Sequence, residues 1–123
     1  MAKVLVVEDN PANMTLATFL LESVGHTVLK ARDAETGVGL ARSERPDLIL
    51  MDIQLPILDG YETTRQIKAE PNLKTTPIIA VSSFAMKGDE EKARASGCDH
   101  YVTKPYSPIQ LLRIIRGFLG EQA

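Results

Sequence analysis

Acidic, hydroxyl-bearing and basic residues stand directly after four short apolar runs in this chain. Glu8, Asp9 and Asn10 follow KVLVV (3–7), and Asp52 follows DLILM (47–51). Ser82 and Ser83 follow PIIAV (77–81), and Thr103, Lys104 and Pro105 follow HYV (100–102). Each has an ordinary reading by itself. Glu8-Asp9 is a polar turn, Asp52 a turn or cap residue, Ser82 a helix N-cap, Lys104 a surface lysine and Tyr101 a half-buried aromatic. Their chemistry changes if the runs are neighbouring strands. Three carboxylates, a hydroxyl and an ammonium then meet in one shallow cleft.

The charges in that cleft do not balance. Glu8, Asp9 and Asp52 carry three negative charges, and Lys104 offsets one. Carboxylates held close together raise one another's pKa or demand a cation. A hard divalent ion such as Mg²⁺ meets the deficit, because it takes one or two carboxylates, several waters and a phosphate oxygen. Phosphoryl transfer asks mainly for positioning and charge neutralisation, which Mg²⁺ and Lys104 supply. A carboxylate can itself accept the phosphoryl group. Asp52, isolated on its own strand end, is the best placed.

Five elements of strand length must hold these groups: the four runs above and HTVLKA (26–31). Their apolar residues lack alternation, as suits strands covered on both faces. Helical spacing fills the intervals. From Pro11, the residues Met14, Ala17, Leu21 and Val24 fall on one face, with Gly25 as the stop. Asp33 is placed to cap a helix carrying Ala34, Val38 and Ala41, weakened by Gly37 and Gly39 at roughly 1 kcal/mol each. A third helix is expected from Asp59-Gly60 to Ala69 around Ile67. A fourth is expected from Ala85 to Ser96, stopped by Gly97. The last spans Pro108 to Phe118, with Gln110, Arg113 and Gly117 as its polar stripe. Strand and helix alternating five times imply an α/β, flavodoxin-like doubly wound (βα)5 fold. Its five-stranded parallel sheet is expected in the order 2-1-3-4-5, with the site outside the carboxyl ends of the strands.

Composition excludes several function classes. The 123 residues suit one domain, and 44% hydrophobic content suits a folded core. A net charge of -2 gives no electrostatic footprint for nucleic acid, and no apolar run is long enough to span a membrane. Cys98 is the only cysteine, which rules out an internal disulfide and suits a reducing, cytoplasmic setting.

The strings VLVVEDN, LILMDIQLPILDG, IIAVSS and YVTKP resemble, in order and spacing, the four motifs of the response-regulator receiver domain of two-component signalling. DLILMDIQLP, FAMKGDEE and GC are similar to single-domain regulators of the DivK type. The resemblance implies a role for each matched position. Asp52 is the phosphoacceptor, charged from a phosphohistidine on a sensor histidine kinase or histidine phosphotransferase. Asp9, Asp52 and the backbone carbonyl of Gln54 hold Mg²⁺, with Glu8 binding directly or through water. Lys104 pairs with the phosphoryl oxygens, and its bond to Pro105 is cis. Ser82 turns its hydroxyl to the phosphoryl group while Tyr101 moves inward. The surface of the fourth helix, last strand and last helix then changes for a downstream protein target.

The resemblance also implies a module that catalyses only its own phosphorylation and dephosphorylation. Residues 1–123 are expected to form a single receiver domain with no output domain, a monomer or weak phosphorylation-dependent dimer, with Met1 taken as a native start. A receiver excised from a larger hybrid kinase or regulator is the alternative. An aspartate-nucleophile phosphatase is disfavoured, because its second catalytic acid would fall at Gln54 and no cap insertion is present. An interaction domain that is never phosphorylated is disfavoured by the complete acidic set and Lys104.

Other residues are assigned to structure. His26 and His100 are expected at the surface or at strand ends, and Cys98 as a small buried residue. KGDEEKAR (87–94) is expected as a solvated helix face, with Met86 and Lys87 as partner contacts if that face is the output surface. The wide apolar arc of the last helix, Leu111, Leu112, Ile114, Ile115, Phe118 and Leu119, is assigned mainly to the core. Two departures from the family pattern stand out. Ser82 replaces the frequent threonine, and Phe84, two residues beyond it, is expected at the mouth of the site. Phe84 is expected to hinder the attacking water. Phe84→Ala should therefore shorten the phosphoaspartate lifetime, and an unchanged hydrolysis rate would refute that role.

Overall fold

The computed structural model describes residues 2–55, 59–83 and 88–120. Strands β1 (Lys3–Val7), β2 (Thr27–Ala31), β3 (Leu48–Asp52), β4 (Ile78–Ser82) and β5 (His100–Thr103) pair in parallel in the order β2-β1-β3-β4-β5. Helices α1 (Pro11–Ser23), α2 (Ala34–Glu44), α3 (Gly60–Lys68), α4 (Asp89–Ser96) and α5 (Pro108–Leu119) alternate with them, and a 3-10 turn (Pro71–Leu73) precedes β4. This is the doubly wound order expected from the sequence.

Strand periodicity divides the core in two. Leu5, Val7, Ile49, Met51, Ile78 and Ala80 face one side, where Val38, Ala41, Ile67 and Ala93 of α2, α3 and α4 cover them. Val4, Val6, Leu48, Leu50, Ile79 and Val81 face the other side, under Met14, Ala17 and Leu21 of α1 and Leu111 and Ile115 of α5. Fully buried side chains such as Leu21, Ile67 and Ile115 each contribute about 1.5–3 kcal/mol by leaving water. That double cover explains why the strands carry continuous apolar runs.

The helix starts follow local side-chain chemistry. Asn10, Asp33, Asp59 and Ser107 each accept a backbone N–H from the first turn of α1, α2, α3 and α5 respectively. Two of these helices also carry proline in the first turn, where no amide donor is lost. Gly37, which lowers the intrinsic propensity of α2, lies against β1. A Cβ there would sit 3.0 Å from Val7 Cγ2, so close helix–sheet approach accounts for it.

Several expectations need correction. Asp52 and Ser82 are the last residues of their strands, not the first beyond them. Ser82 is therefore not the cap of α4, whose N-cap is Gly88 without a side-chain hydrogen bond. Val24 lies just past the end of α1 and is 49% exposed, off the core face, because the helix stops before its turn completes. His26, directly before β2, is buried, with Nδ1 accepting the Ala2 amide at 3.3 Å, so it is a strand-end histidine and not a surface one. His100 is half-buried, its ring 6.0 Å from that of Phe118. The expected start of α4 at Ala85, together with Phe84, Met86 and Lys87, lies outside the described residues. Arg94 pairs with Glu90 at 3.3 Å on the solvated face of α4, and Cys98 is buried beside Thr64 and Ser96, as expected.

Candidate phosphoryl and metal site

The strand register decides which side chains meet. Val7 pairs with Met51, which sets Glu8 level with Asp52; Asp52 pairs with Val81, and Ser82 with Thr103. Glu8, Asp52, Ser82 and Lys104 therefore gather at the carboxyl edge of β1, β3, β4 and β5. Rigid, fully buried strands fix the backbone of Asp52 and Ser82, so little entropy remains to be lost in aligning them.

Glu8 and Asp52 are buried, only 6% and 4% exposed, whereas Asp9 is exposed. Lys104 Nζ donates to Glu8 Oε1 at 3.0 Å and lies 3.8 Å from Asp52 Oδ1. The lysine is steadied by its own amide, which donates to Ser82 O at 2.7 Å, and the Lys104–Pro105 bond is cis. The Asn10 amide donates to Glu8 Oε2 at 3.2 Å, and the Gln54 amide to Asp52 Oδ1 at 2.9 Å. Ser82 is buried at the end of β4. Tyr101 is half-buried in β5 and packs, with Tyr61, against the core on the α2–α4 side. One oxygen from each of Glu8, Asp9 and Asp52 can be chosen so that all lie within 4.8 Å of one another.

This arrangement is electrostatically unsatisfied. Burial pushes the Asp52 carboxyl up to about 7. A hydrogen bond shared with Glu8 and the negative charge of Glu8 add to the rise, while the Gln54 amide and the Lys104 charge oppose it. One lysine does not neutralise three converging acids, so the donor set fits a divalent, oxygen-seeking cation.

Two features were not apparent from the sequence. The Gln54 side chain crosses to the end of β4, where its Oε1 accepts the amide of Ser83, the residue directly after the strand, at 2.7 Å. An open groove of about 410 Å³ leads to Lys104 between Asn13, Leu16, Ser83, Pro105 and Tyr106. Leu16 could have signalled it, being apolar yet off the Met14–Ala17–Leu21 face of α1 and 45% exposed. Among the described residues no helix is long and apolar enough to cross a membrane.

Comparison with known proteins agrees with the geometry. The family described as the response regulator receiver domain matches residues 4–116. The chain is 46% identical to the polar-differentiation response regulator DivK of Brucella anthropi, over 96% of both chains. The DivK of Brucella ovis is 45% identical over the same shares. Among solved structures, the receiver domain of sensor histidine kinase PA1611 from Pseudomonas aeruginosa superposes with a TM-score of 0.91. It is 40% identical, over 98% of each chain, and has a magnesium ion coordinated in its active-site cleft. The Vibrio cholerae chemotaxis protein CheY4 has the same TM-score at 26% identity, over 96% of this chain and 98% of its own.

Proposed function

We propose, from the premise that this chain belongs to the response regulator receiver domain family of two-component signalling, that it is a switch charged by phosphorylation of Asp52. The observation that carries this reading is the convergence of Glu8, Asp9 and Asp52, with the Lys104 ammonium 3.0 Å from Glu8 and 3.8 Å from Asp52. The donor is a phosphohistidine on a sensor histidine kinase or a histidine phosphotransferase. An Asp52 carboxylate oxygen forms a P–O bond as the P–N bond of a protonated phosphoimidazole breaks. The nitrogen keeps the electron pair, and neutral imidazole leaves. Glu8, Asp9, Asp52 and the Gln54 carbonyl would hold Mg²⁺, with Glu8 bound directly or through water. Bound there, Mg²⁺ supplies positive charge to the phosphoryl oxygens. The groove between Leu16, Pro105 and Tyr106 is the approach for the donor side chain.

Lys104 would shift from the carboxylates to the phosphoryl oxygens, Ser82 would donate its hydroxyl, and Tyr101 would turn inward behind it. The altered surface of α4, β5 and α5 would be read by a downstream protein, with no nucleic acid or membrane partner. The protein turns over no substrate besides its own phosphoryl group, and Phe84 would limit water at the site.

Intact mass after incubation with Mg²⁺ and acetyl phosphate tests this reading. One base-labile phosphoryl adduct is expected in wild type, and none without Mg²⁺ or in Asp52→Asn. An adduct that persists in Asp52→Asn would place the acceptor elsewhere and overturn the assignment. Lys104→Met removes the ammonium that lies against both buried acids. Adduct formation in that variant should slow by roughly 10²–10³-fold under single-turnover conditions, as loss of a preorganised donor at a developing anion does. A rate within about twofold of wild type would remove Lys104 from the reaction.

A further inference from the structure

Gln54 ties the segment that carries Asp52 to the segment that follows β4. Its amide donates to Asp52 Oδ1 at 2.9 Å, and its side-chain Oε1 accepts the Ser83 amide at 2.7 Å. Asp52 pairs with Val81, so Ser83 stands two residues beyond the carboxylate's neighbour on the same sheet edge. Ser83 is exposed and lines the groove that ends on Lys104. Its N–H is thus a donor at the rim of an anion-accepting site, occupied by a neutral acceptor from within the chain. A phosphoryl group on Asp52 would bring oxygens carrying close to two negative charges to that rim. Charge-assisted hydrogen bonds are about twice as strong as neutral ones, so such an anion outcompetes an amide oxygen for the same N–H.

We propose that the Gln54 side chain is an internal competitor for the Ser83 amide, holding this donor out of the site until an anion on Asp52 displaces it. The proposal rests on the reading of Asp52 as phosphoacceptor. Gln54 acts through Ser83 and is a positioning residue. Its side-chain carbonyl sets how readily the site takes an anion, and its length matters because it must span from β3 to the end of β4. The same exchange couples phosphorylation to the backbone just beyond β4: once Ser83 turns to the anion, the strap between the two segments is broken.

Two variants separate competition from simple packing. Gln54→Met keeps the length and volume of the side chain but removes the amide oxygen. Gln54→Glu keeps an acceptor and makes it charged. Amide exchange at Ser83 is measured by NMR in the metal-free protein, and beryllofluoride, an analogue of a carboxylate-bound phosphoryl group, is titrated at fixed Mg²⁺. Gln54→Met should exchange Ser83 at least about tenfold faster than wild type and bind beryllofluoride about 3–10-fold tighter, the yield of removing one competing neutral hydrogen bond. Gln54→Glu should retain the protection and bind beryllofluoride more weakly than wild type. A loss caused only by damaged packing would weaken binding in both variants and overturn the proposal, as would unchanged Ser83 exchange in Gln54→Met. If wild type takes neither beryllofluoride nor a phosphoryl group, the assignment of Asp52 itself fails and the competition falls with it. Tight wild-type binding that is insensitive to Gln54 overturns the competition alone.

Discussion

Asp52→Asn is expected to make the metal-free protein more stable while abolishing the phosphoryl adduct. The wild-type carboxyl is buried and pushed up to about 7, from an ordinary value of 3.8. Between those two values the folded protein holds a proton that the unfolded chain has released. Stability from this group is therefore fully present below about pH 4 and is lost as pH rises through 7. At about pH 8 the native state carries an ionised Asp52 beside Glu8, and asparagine relieves it of that charge. A shift of this size corresponds to an effect on the order of 2–4 kcal/mol. The gain from Asp52→Asn should be largest near pH 8 and small near pH 4, as read by urea unfolding. A gain that is the same at both values, or larger in acid, would show that Asp52 is ordinarily ionised in the folded state.

Cation binding should narrow the difference. A divalent ion at Glu8, Asp9 and Asp52 favours the ionised form and stabilises the native state by mass action. Millimolar Mg²⁺ at about pH 8 is therefore expected to raise the wild-type midpoint and to leave that of Asp52→Asn nearly unchanged. The two curves should approach one another as the ion is added. The strand thus holds Asp52 in a state that is costly by itself and comfortable only with a cation or with a neutralised side chain.

Strand positions and the convergence of the candidate residues were legible in the sequence for one physical reason: strands buried on both faces need unbroken apolar runs, and a charge marks where each run reaches the edge. Asp52 and Lys104 stand out by that contrast. What was less legible depends on geometry that periodicity does not encode. Val24 keeps the apolar spacing of α1, yet the helix has already ended there, so the side chain points to solvent. His26 is polar, but Ala2 supplies a donor from the chain's start, and burial follows. The Gln54 strap joins residues 29 positions apart, and nothing in a glutamine announces which amide it will reach. Gly60 reads in the sequence as a helix start and no more, because its closest constraint lies in space, not along the chain.

Gly60→Ala is expected to damage both stability and the site, although helix propensity alone would favour an alanine there. A Cβ at Gly60 would lie 2.4 Å from the Asp52 carbonyl oxygen and 2.6 Å from Ile53 Cα. Both are backbone atoms, so no rotamer change relieves the contact. Either the start of α3 withdraws, or the backbone of Asp52 and Ile53 moves. Withdrawal breaks the hydrogen bond from the Gly60 amide to Ile53 O at 3.0 Å and lifts the buried Thr63, Thr64 and Ile67 from their packing. Movement of the strand end displaces the carboxylate, and a misplacement of about 1 Å costs reactions about 10²-fold. Overpacking of this kind typically costs about 1–3 kcal/mol, and about 3 kcal/mol is expected here because backbone meets backbone. Gly39→Ala is the contrasting case. That glycine is exposed on α2, and a Cβ added to it would have no neighbouring atom within 4 Å. The substitution should stabilise by roughly 0.5–1 kcal/mol through helix propensity alone. Urea unfolding of the two variants should move in opposite directions, and adduct formation should fall at least about tenfold in Gly60→Ala while staying unchanged in Gly39→Ala. A Gly60→Ala protein as stable and as readily phosphorylated as wild type would mean that α3 does not seat on the backbone of Asp52, and that this carboxylate is held by its strand alone.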